Sequence, residues 1–473
     1  MSALKELPVD SVLGNLPSAL DVQRMRKVFQ ERIFRANQDS RQVFQIKDCQ
    51  IERIKYKPRK TCLICYRLVI EDRVSGREHE QILCGRIYEN GGSASRFIKA
   101  EKKEQVKTPI VEPLLHFPDL DMVLWAFPNE RKLRWLPHLI DSDFLKEKIL
   151  PQLMATRWGA EWKLTGLTHC IIHYKPEDAC TVRVQAQLSN DSTGEVRSWV
   201  LYGKTFSEEQ GEEIQHIMTK LWQASRWAQK DFKLARPLGF LPHYKMLWQE
   251  GLPGTPLFDQ ERTDPNFFRL LEQAAAALVQ LHRIPMDCNR KIRVRDVVEL
   301  LKEMKELIGT SFPSIRPTLS RVVDRLIRQA DSIEEGFMAT LHGDLHLKNI
   351  LVDEGKIYLI DLDASAIGTP LLDLGSFSAG VITLAIMNGE TWEMAEKKIR
   401  VFTERYRKEA PWDIPRQELD WHTTAALINE RAFRSLKGLK AGRMELVKVL
   451  VDIADGLSQG LHPGSFIKHV ELR

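Results

Sequence analysis

The segment LHGDLHLKNILV, residues 341–352, decides how the rest of the chain is interpreted. It holds Asp344 and Asn349, followed by an apolar run typical of a β-strand. A DEGK turn and a second apolar run, IYLI, then lead to Asp361. This pattern predicts a β-hairpin, which brings the residues at its two open ends side by side. We therefore expect Asn349 and Asp361 to be neighbours, with Asp344 one loop away.

These side chains match the needs of phosphoryl transfer from a nucleotide. That reaction requires a carboxylate that orients the attacking hydroxyl, together with oxygen ligands for Mg²⁺. Mg²⁺ is a hard cation that takes Asp and Asn oxygens while keeping waters and phosphates as further ligands. The spacing therefore predicts that Asn349 and Asp361 bind Mg²⁺ and that Asp344 faces the acceptor.

The two histidines of the segment, His342 and His346, also have the i, i+4 spacing of a zinc-binding pair. That pair needs a helix, on which residues four apart share a face. Gly343 and the flanking strand patterns indicate a loop instead. We therefore expect no zinc site here.

Composition and charge argue against several classes of protein. The chain has 473 residues, 43% hydrophobic and 28% charged, as in ordinary globular proteins of about two to four domains. The net charge is only +5, from 69 basic and 64 acidic residues, and gives no reason to expect a nucleic acid or a membrane as partner. The first residues show no signal-peptide pattern, and no run of about 18 apolar residues is present. We therefore expect a soluble, cytoplasmic protein.

The cysteines indicate a reducing compartment. Seven cysteines, an odd number spread over a long chain, argue against a disulfide framework. Cys62 and Cys65 form a CxxC pair, but residues three apart on a strand face opposite sides, so they are poorly placed to share a metal. We expect these two cysteines to be core or surface thiols.

Part of the sequence is repeated. YKPRKTC begins at Tyr56 and YKPEDAC at Tyr174, an offset of 118 (174 − 56). LCGRIY and LYGKTF place Arg86 and Lys204 at the same offset (204 − 86). Each copy combines a helical pattern with runs rich in β-branched and aromatic residues, separated by turn-forming segments. The sequence thus predicts two related units with antiparallel sheets, at about 1–140 and 141–257.

The remainder, 258–473, has a mostly helical pattern. Apolar residues recur at helical spacing in segments such as DPNFFRLLEQAAAALVQLHRI and RMELVKVLVDIADGL. The hairpin and its preceding loop form a β-rich island among these helices. This third domain is predicted to hold the catalytic loop and the acceptor pocket.

The order of the motifs resembles the aminoglycoside phosphotransferase and choline kinase superfamily, the small-molecule relatives of protein kinases. The family pattern is HGDxHxxN, a hairpin, IDxx and then GxPxxDL; this chain has HGDLHLKN, LIDLD and GTPLLDLG. The resemblance implies an α+β, two-lobed protein-kinase-like fold with an antiparallel-sheet N-lobe and a mainly helical C-lobe. The first unit would then be a second N-lobe-like unit. The resemblance also implies a small-molecule kinase that uses ATP and Mg²⁺.

The resemblance assigns roles to the motif residues. Those that match the family's catalytic base and its two Mg²⁺ ligands are Asp344, Asn349 and Asp361. Those that match supporting positions are His342 and Asp373, which hold the catalytic loop, and His346. Asp363 stands where protein kinases have glycine, and it is given no role.

The second unit is expected to bind the nucleotide. Lys204 lies in an apolar strand pattern and fits the lysine that pairs with the α- and β-phosphates. Glu213, on the helix that follows, is its expected partner, and Glu209 is the alternative. The turn at 175–180 is expected to cover the phosphates. The first unit has Arg86 at the lysine position, a poor substitute for a compact ammonium, so we expect it to be a cap or regulatory module without nucleotide.

The hinge between the lobes is predicted in the segment KMLWQEGLPGTPL. Its backbone is expected to hydrogen-bond the adenine base at Gln249, Glu250 and Leu252. Gly254 would then begin the crossing to the helical domain.

A small hydroxylated acceptor is predicted. Only twelve positions separate Asp361 from Asp373 (373 − 361), which leaves little room for a peptide platform. A sugar, amino sugar, amino alcohol or antibiotic fits better. The basic stretch 431–443 either meets a phosphate or carboxylate or faces solvent. The alternative is a catalytically silent, kinase-like scaffold or sensor that binds a protein partner through the first unit.

Overall fold

A computed structural model describes residues 10–34, 43–89, 91–207, 210–226, 232–261, 264–333, 336–439 and 443–461. Within these ranges the chain is an α+β protein in which two antiparallel sheets precede a mainly helical part. The predicted fold class is confirmed. Strands form where β-branched and aromatic residues cluster, and helices where apolar residues recur at helical spacing.

The first unit is built on a sheet whose described strands follow the order β1-β2-β3-β5-β4. Helix α2 packs on this sheet through Met25 and Phe29, which are fully buried. Asp21 caps the helix by accepting hydrogen bonds from two backbone N–H groups of its first turn. The elements are α1 Leu16–Leu20, α2 Val22–Phe34, β1 Phe44–Lys57, β2 Thr61–Asp72, β3 Glu78–Ile87, α3 Gly92–Glu101, β4 Leu114–Phe117 and β5 Met122–Ala126.

The second unit has the same strand order, β6-β7-β8-β11-β10. Its helix α5 is also capped by an aspartate, Asp141, and contains a π-helical segment, Leu145–Ile149. Strand β9 leaves this sheet and pairs with the hairpin of the third part. The elements are α4 Leu136–Leu139, α5 142–157, β6 Trp162–Lys175, β7 Ala179–Asn190, β8 Val196–Phe206, α6 Gly211–Ser225, β9 Phe232–Leu234, β10 Pro237–Leu241 and β11 Met246–Glu250.

The two sheets match at the level of individual turns. Their first three strands begin 118 residues apart (162 − 44, 179 − 61, 196 − 78), and β5 and β11 begin 124 apart (246 − 122). Arg59 and Glu177 occupy equivalent turns, with positive φ angles of 56° and 58°. Leu133, Leu136 and Leu139 pack in the core of the second sheet. The second unit therefore begins before residue 141, where the sequence pattern had placed its start.

The third part surrounds the short hairpin β15–β16 with helices. The hairpin joins β12 and β9 in a four-stranded sheet, with Ile350 paired to Leu359. The elements are β12 Thr255–Pro256, α7 Leu257–Gln260, α8 Phe267–Arg283, β13 Lys291–Ile292, α9 Val294–Ser311, α10 Arg316–Ala330, β14 Ala339–Leu341, β15 Ile350–Asp353, β16 Lys356–Leu359, β17 Ala366–Gly368, α11 Leu371–Asn388, α12 Trp392–Glu409, α13 416–438 and α14 Arg443–Ser458. Helix α13 includes a π-helical segment, Leu427–Ala432.

Helix α11 has the length and composition of a membrane span, although the sequence analysis expected no such segment. Its 18 residues have a mean hydropathy of 1.5, but 67% of this window is buried inside the protein. Leu374 and Phe377 pack against the helices around them. The apolar composition of α11 is therefore explained by its place in the core.

The first unit shares its hydrophobic core with the helical part. Buried side chains of its sheet belong to one cluster with those of α9, α10, α13 and α14. On the other face, Cys65 and Cys84 lie opposite each other in β2 and β3 and form a disulfide. The expectation of a free thiol is therefore wrong for Cys65, because the antiparallel register aligns two cysteines that are 19 residues apart in sequence.

Candidate active site

The predicted catalytic loop follows β14 and is held by a buried carboxylate. Asp373, in the first turn of α11, accepts hydrogen bonds from the backbone N–H groups of His342 (2.6 Å) and Gly343 (2.9 Å). Its Oδ2 also lies 3.0 Å from Nε2 of His282. Burial alone would raise the pKa of Asp373, but the hydrogen bond from His282 holds it below the ordinary value. Asp373 is therefore ionised at neutral pH and fixes the backbone of the loop.

Gly343 is required by the path of this loop. Its φ is 82°, and a Cβ atom there would lie 2.1 Å from the carbonyl oxygen of Ala364. The neighbouring His342 has Nε2 at 3.0 Å from the carbonyl oxygen of Ile360, while its Nδ1 accepts the N–H of Asp344 at 3.4 Å. This pattern requires the proton on Nε2. The loop is thereby tied to the strand that leads to residue 361.

Asn349 and Asp361 lie at the two ends of the hairpin. The N–H of Ile360 donates to the carbonyl oxygen of Asn349 at 3.0 Å. Nδ2 of Asn349 donates to the carbonyl oxygen of Asp344 at 3.0 Å, so its amide oxygen remains available as a ligand. Amide and carboxylate oxygens are hard ligands that fit Mg²⁺. Among the described residues no group of three or more His, Cys, Asp or Glu could hold a metal. Asn349 and Asp361 supply two oxygen ligands that would hold Mg²⁺ together with nucleotide phosphates.

Lys204 extends from β8 to the end of the hairpin. Its Nζ lies 3.2 Å from Oδ1 of Asp361 and also contacts Asp363. Burial would lower the pKa of Lys204, but the charges of Asp363 and Asp361 raise it above the ordinary value. Burial would raise the pKa of Asp361, but the charge of Lys204 lowers it below the ordinary value. Burial raises the pKa of Asp363 above the ordinary value in spite of the charge of Lys204. Lys204 and Asp361 are therefore both charged at neutral pH.

Lys204, Asp344, Asp361 and Asp363 line one cavity of ≈ 170 Å³ between the second sheet and the catalytic loop. Its polar and charged lining residues are Lys175, Asp178, Lys204, Gln210, Asp344, Asp361 and Asp363. The cavity combines cations suited to phosphate groups with a carboxylate suited to a hydroxyl donor. The cavity can therefore place a reacting phosphate group next to an alcohol hydroxyl.

Residues 193–410, 218 of the 473 in the chain (410 − 193 + 1), match the phosphotransferase enzyme family. The match confirms the resemblance to small-molecule kinases. It covers the catalytic loop, the hairpin and Lys204, and it confirms the predicted class of enzyme. No curated protein sequence matches the chain.

Solved structures of small-molecule kinases are similar to this chain at a distance. One is aminoglycoside phosphotransferase APH(4)-Ia with ADP and hygromycin B, at 13% identity and a TM-score of 0.42, covering 63% of this chain and 94% of that one. Another is choline kinase from Cryptosporidium parvum Iowa II, at 13% identity and 0.43, covering 63% and 93%. A third is aminoglycoside phosphotransferase APH(3'')-Id from Streptomyces rimosus, at 17% identity and 0.37, covering 58% and 94%. Likenesses this distant do not identify an acceptor.

In the kinase-like cleft, Asp344 contacts an arginine that the sequence analysis did not single out. Nη2 of Arg434, on α13, lies 3.1 Å from Oδ1 of Asp344. Burial would raise the pKa of Asp344, but the charge of Arg434 lowers it below the ordinary value. His346 lies on the other side, with Nε2 4.0 Å from Oδ2. Burial lowers the pKa of His346 to about 4, so this ring is neutral at neutral pH.

The predicted pair of Lys204 and Glu213 is not formed. Glu213, on α6, instead accepts a hydrogen bond from Arg290 at 3.2 Å. Arg290 also donates to the carbonyl oxygen of Asp363, which ties α6 to the hairpin end. The prediction was wrong because Asp361 and Asp363 already surround the ammonium of Lys204. The alternative partner, Glu209, lies outside the described residues.

The predicted hinge has only part of its backbone available for a base. The N–H of Glu250 donates to the carbonyl oxygen of Arg236 at 2.9 Å, and that of Gly251 to the carbonyl oxygen of Val200 at 2.8 Å. Gln249 lies within β11, paired with Tyr202 and Pro237, and the side chain of Glu250 forms an ion pair with Arg157.

Two residues remain consistent with the predicted hinge. The N–H of Leu252 bonds to no described residue, so it remains available to a base. Gly254 has a φ of 99°, and a Cβ atom there would lie 2.5 Å from the carbonyl oxygen of Val352. Gly254 thus permits the close crossing into the helical part.

The turn predicted to cover the phosphates is held by the first unit. Glu177, at its tip, is 4% exposed and accepts Nε of Arg86 at 2.9 Å as well as Nη2 of Arg86. Nη2 of Arg131 donates to the same carboxylate at 2.8 Å. Burial would raise the pKa of Glu177, but Arg131 and Arg86 hold it below the ordinary value. Arg86, at the position equivalent to Lys204, is therefore a structural ion-pair partner of the second unit.

The sequence analysis missed His282, Arg290, Arg434 and the Arg86–Glu177 pair. The only signal for any of them was weak: Arg434 lies in the basic stretch 431–443, which was compatible with an anion or with solvent. The others have no local pattern, because each contacts a residue more than seventy positions away.

Proposed function

We propose that the protein transfers the γ-phosphate of ATP to a hydroxyl group of a small molecule. The observation that carries the proposal is the convergence of Asp344, Lys204 and Asp361 on one cavity, with Asn349 hydrogen-bonded to the same loop. The match to the phosphotransferase enzyme family over 193–410 supports it. A cytoplasmic location and the use of ATP with Mg²⁺ belong to the proposal.

Each side chain has a defined task in this reaction. Lys204 binds the non-transferred phosphates, and Asp344 accepts a hydrogen bond from the acceptor hydroxyl and orients it. Asn349 and Asp361 would hold Mg²⁺, which neutralises charge on the phosphates when it is bound. Asp373 keeps the loop in position through its two backbone hydrogen bonds.

The transfer conserves atoms and charge. The hydroxyl oxygen of the acceptor forms a bond with the γ-phosphorus, and its proton passes to Asp344. The bond between that phosphorus and the bridging oxygen breaks, and its electron pair leaves with ADP. The protein contributes positioning and electrostatic stabilisation.

The small size of the acceptor follows from the segment after Asp361. A short 3-10 turn at Leu362–Ala364 and the three-residue strand β17 lead directly into α11. No described segment there extends far enough to dock a peptide strand. We therefore propose a small acceptor, bound between the catalytic loop and the helices of the third part.

The test is turnover by the full-length chain with Mg²⁺ and γ-labelled ATP in the absence of an acceptor. Slow hydrolysis is expected, because water can take the place of the acceptor. Asp344→Asn is expected to lower the rate about 10²–10³-fold, by analogy with the loss of one preorganised catalytic group. Asp331→Asn, an exposed aspartate after α10, is the matched control and is expected to keep the wild-type rate.

A second measurement distinguishes the proposal from a catalytically silent scaffold. Mg²⁺–ATP is expected to raise the melting temperature of the wild type, because it binds the folded state. An unchanged melting temperature together with no hydrolysis would favour the scaffold. Equal hydrolysis by wild type and Asp344→Asn would exclude the proposed role of Asp344.

A further inference from the structure

A second cavity is lined by His346 and Arg434, the two residues that lie next to Asp344. Its volume is ≈ 280 Å³, near the lower end of small-molecule sites at about 300 Å³. Its lining residues come from the catalytic loop, α11, α13 and α14. They are His346, Leu347, Lys348, Gly380, Thr383, Leu384, Met387, Arg431, Arg434, Ser435 and Leu446.

The described side chains that line this cavity carry only positive charge, although Glu430 and Asp344, outside the lining, contact two of them. Its lining includes the cations Lys348, Arg431 and Arg434 and contains no carboxylate. His346, whose pKa burial lowers to about 4, adds no positive charge at neutral pH. An amine in this cavity would meet three cations, whereas an anion would be attracted by all three.

Arg431 is the most buried of these cations. Its side chain is 10% exposed, and Nη2 donates to the carbonyl oxygen of Ser376 at 2.9 Å and lies 3.4 Å from Glu430. Its Nε has no hydrogen-bond partner among the described residues. Burial lowers the pKa of Arg431 in spite of Glu430. A buried guanidinium with unused donors is costly unless an anion satisfies it.

Arg434, one helical turn further along α13, links the cavity to the catalytic carboxylate. Its contact with Oδ1 of Asp344 spans 3.1 Å, while its side chain remains 51% exposed. The guanidinium can therefore reach both Asp344 and a ligand in the cavity. Its planar group suits the two-oxygen geometry of a carboxylate or phosphate.

A further pair of cations lies where the first unit meets the last part of α13, the helix that carries Arg434 and Ser435 of the cavity lining. Strand β1 packs on the last part of α13, and the burial of Lys437 together with the nearby charge of Lys55 lowers the pKa of Lys437. Asp178 opposes this effect only in part. Two lysines held close together in the folded protein favour a negatively charged neighbour over a positive one.

We propose that the acceptor is a hydroxylated acid, whose carboxylate or phosphate group binds Arg431 and Arg434 while its hydroxyl faces Asp344. This inference rests on the proposed function and narrows its acceptor to one class. Leu384, Met387 and Leu446 would contact the less polar part of the molecule. Cationic acceptors such as amino sugars and amino alcohols are disfavoured by the same charges.

The first test is anion binding by the full-length chain saturated with Mg²⁺–ADP, so that the nucleotide phosphates already occupy their own site. Sulfate stands in for phosphate and acetate for carboxylate, each titrated calorimetrically, and the tighter of the two identifies the preferred group. Arg434→Gln is expected to weaken binding about tenfold, as the loss of a charged hydrogen bond predicts. Arg434→Lys is expected to recover part of the affinity. Arg295→Gln, at an arginine whose side chain is 73% exposed, is the control and is expected to bind as the wild type does.

The second test compares phosphorylation of three acceptors built on one ring: glucuronate, glucose and glucosamine. The rate is expected to fall in that order, and Arg434→Glu is expected to reverse it. Absence of sulfate and acetate binding in the wild type, or a faster rate with glucosamine than with glucuronate, would overturn the inference. Neither outcome would affect the proposed phosphotransfer, which fails only if Mg²⁺–ATP is neither bound nor hydrolysed. If none of the three sugars is phosphorylated, the sulfate and acetate titrations alone test the inference: binding that Arg434→Gln weakens supports it, and no binding overturns it.

Discussion

The two sheets of this protein have the same strand order and equivalent turns, but their equivalent faces differ in what they contact. In the second unit, the face around Lys204 opens on the catalytic cavity. In the first unit, the face around Arg86 is covered by the β6–β7 hairpin of the second unit, with Tyr174 packed on Leu63 and Cys84. The face that opens on the cavity in the second unit thus supports, in the first unit, the 175–180 turn beside that cavity.

The exchange of lysine for arginine explains much of this difference. Arg86 makes two parallel hydrogen bonds to the carboxylate of Glu177 and a third bond, of 2.6 Å, to Thr61. A lysine ammonium cannot match that planar geometry. Lys204 instead supplies a compact charge between Asp361 and Asp363. Each residue therefore suits its own partners, which are a carboxylate of the second unit for Arg86 and two carboxylates of the third part for Lys204.

The largest effect is expected when Lys204 and Arg86 are each replaced by the residue type of the other unit. Lys204→Arg is expected to lower kcat/KM for Mg²⁺–ATP hydrolysis about 10²-fold, because the wider guanidinium displaces the phosphates. The matched exchange, Arg86→Lys, is expected to change the stability of the protein far more than kcat. Steady-state kinetics measure kcat and kcat/KM for both variants. Full activity of Lys204→Arg would mean that the lysine is not what distinguishes the two units.

Removing the buried ion pair between the units is expected to have the next largest effect. Arg86→Met leaves Glu177 buried with Arg131 as its remaining partner, so the free energy of unfolding should fall by about 3 kcal/mol. The control is Arg32→Met, which breaks an exposed pair with Asp119 and should cost about 1 kcal/mol or less. Urea unfolding measures both. A double variant, Arg86→Met with Glu177→Leu, should regain stability, and a loss equal to the sum of the single losses would contradict the pairing.

Asp10 and Glu130 occupy equivalent positions in the two units, and their contributions to stability should depend on pH in opposite directions. Both effects should be smaller than the loss of the buried ion pair. Both accept hydrogen bonds from two nearby backbone N–H groups and from the tip of the following hairpin turn. Burial would raise the pKa of Asp10, but hydrogen bonds from Tyr56 and the backbone lower it. In Glu130, burial raises the pKa in spite of similar bonds.

The signs follow from linkage. A lowered pKa in the folded state means that Asp10 stabilises the fold above its unfolded value of about 4, and this contribution is lost as the pH falls below it. A raised pKa means that Glu130 favours the folded state most below its unfolded value of about 4, and this contribution is lost as the pH rises through the folded value. Comparing the melting temperature of Asp10→Asn and Glu130→Gln with that of the wild type between acidic and neutral pH measures both. The same sign for both variants would contradict the assignment.

Local sequence was sufficient for the features that depend on neighbouring residues. The hairpin ends at 349 and 361 meet because a four-residue turn joins the strands, and Gly343 marks the tight loop before them. The repeat was visible because equivalent strands kept their spacing. The partner of Glu213 was predicted wrongly, because helix position alone does not show that Arg290, 77 residues away, approaches it.

The order of amino acids was enough to predict the catalytic motif, its hairpin and the two copies of the sheet, since turns, strands and periodic apolar faces are set by residues close together in the chain. The contacts of Arg86 with Glu177 and of Arg434 with Asp344 became visible in the folded chain alone, because these pairs are 91 and 90 residues apart. The physical reason is that an ion pair depends on distance and burial after packing. The same arginine pattern in a sequence is compatible with solvent, with a carboxylate or with a ligand until the helices are in place.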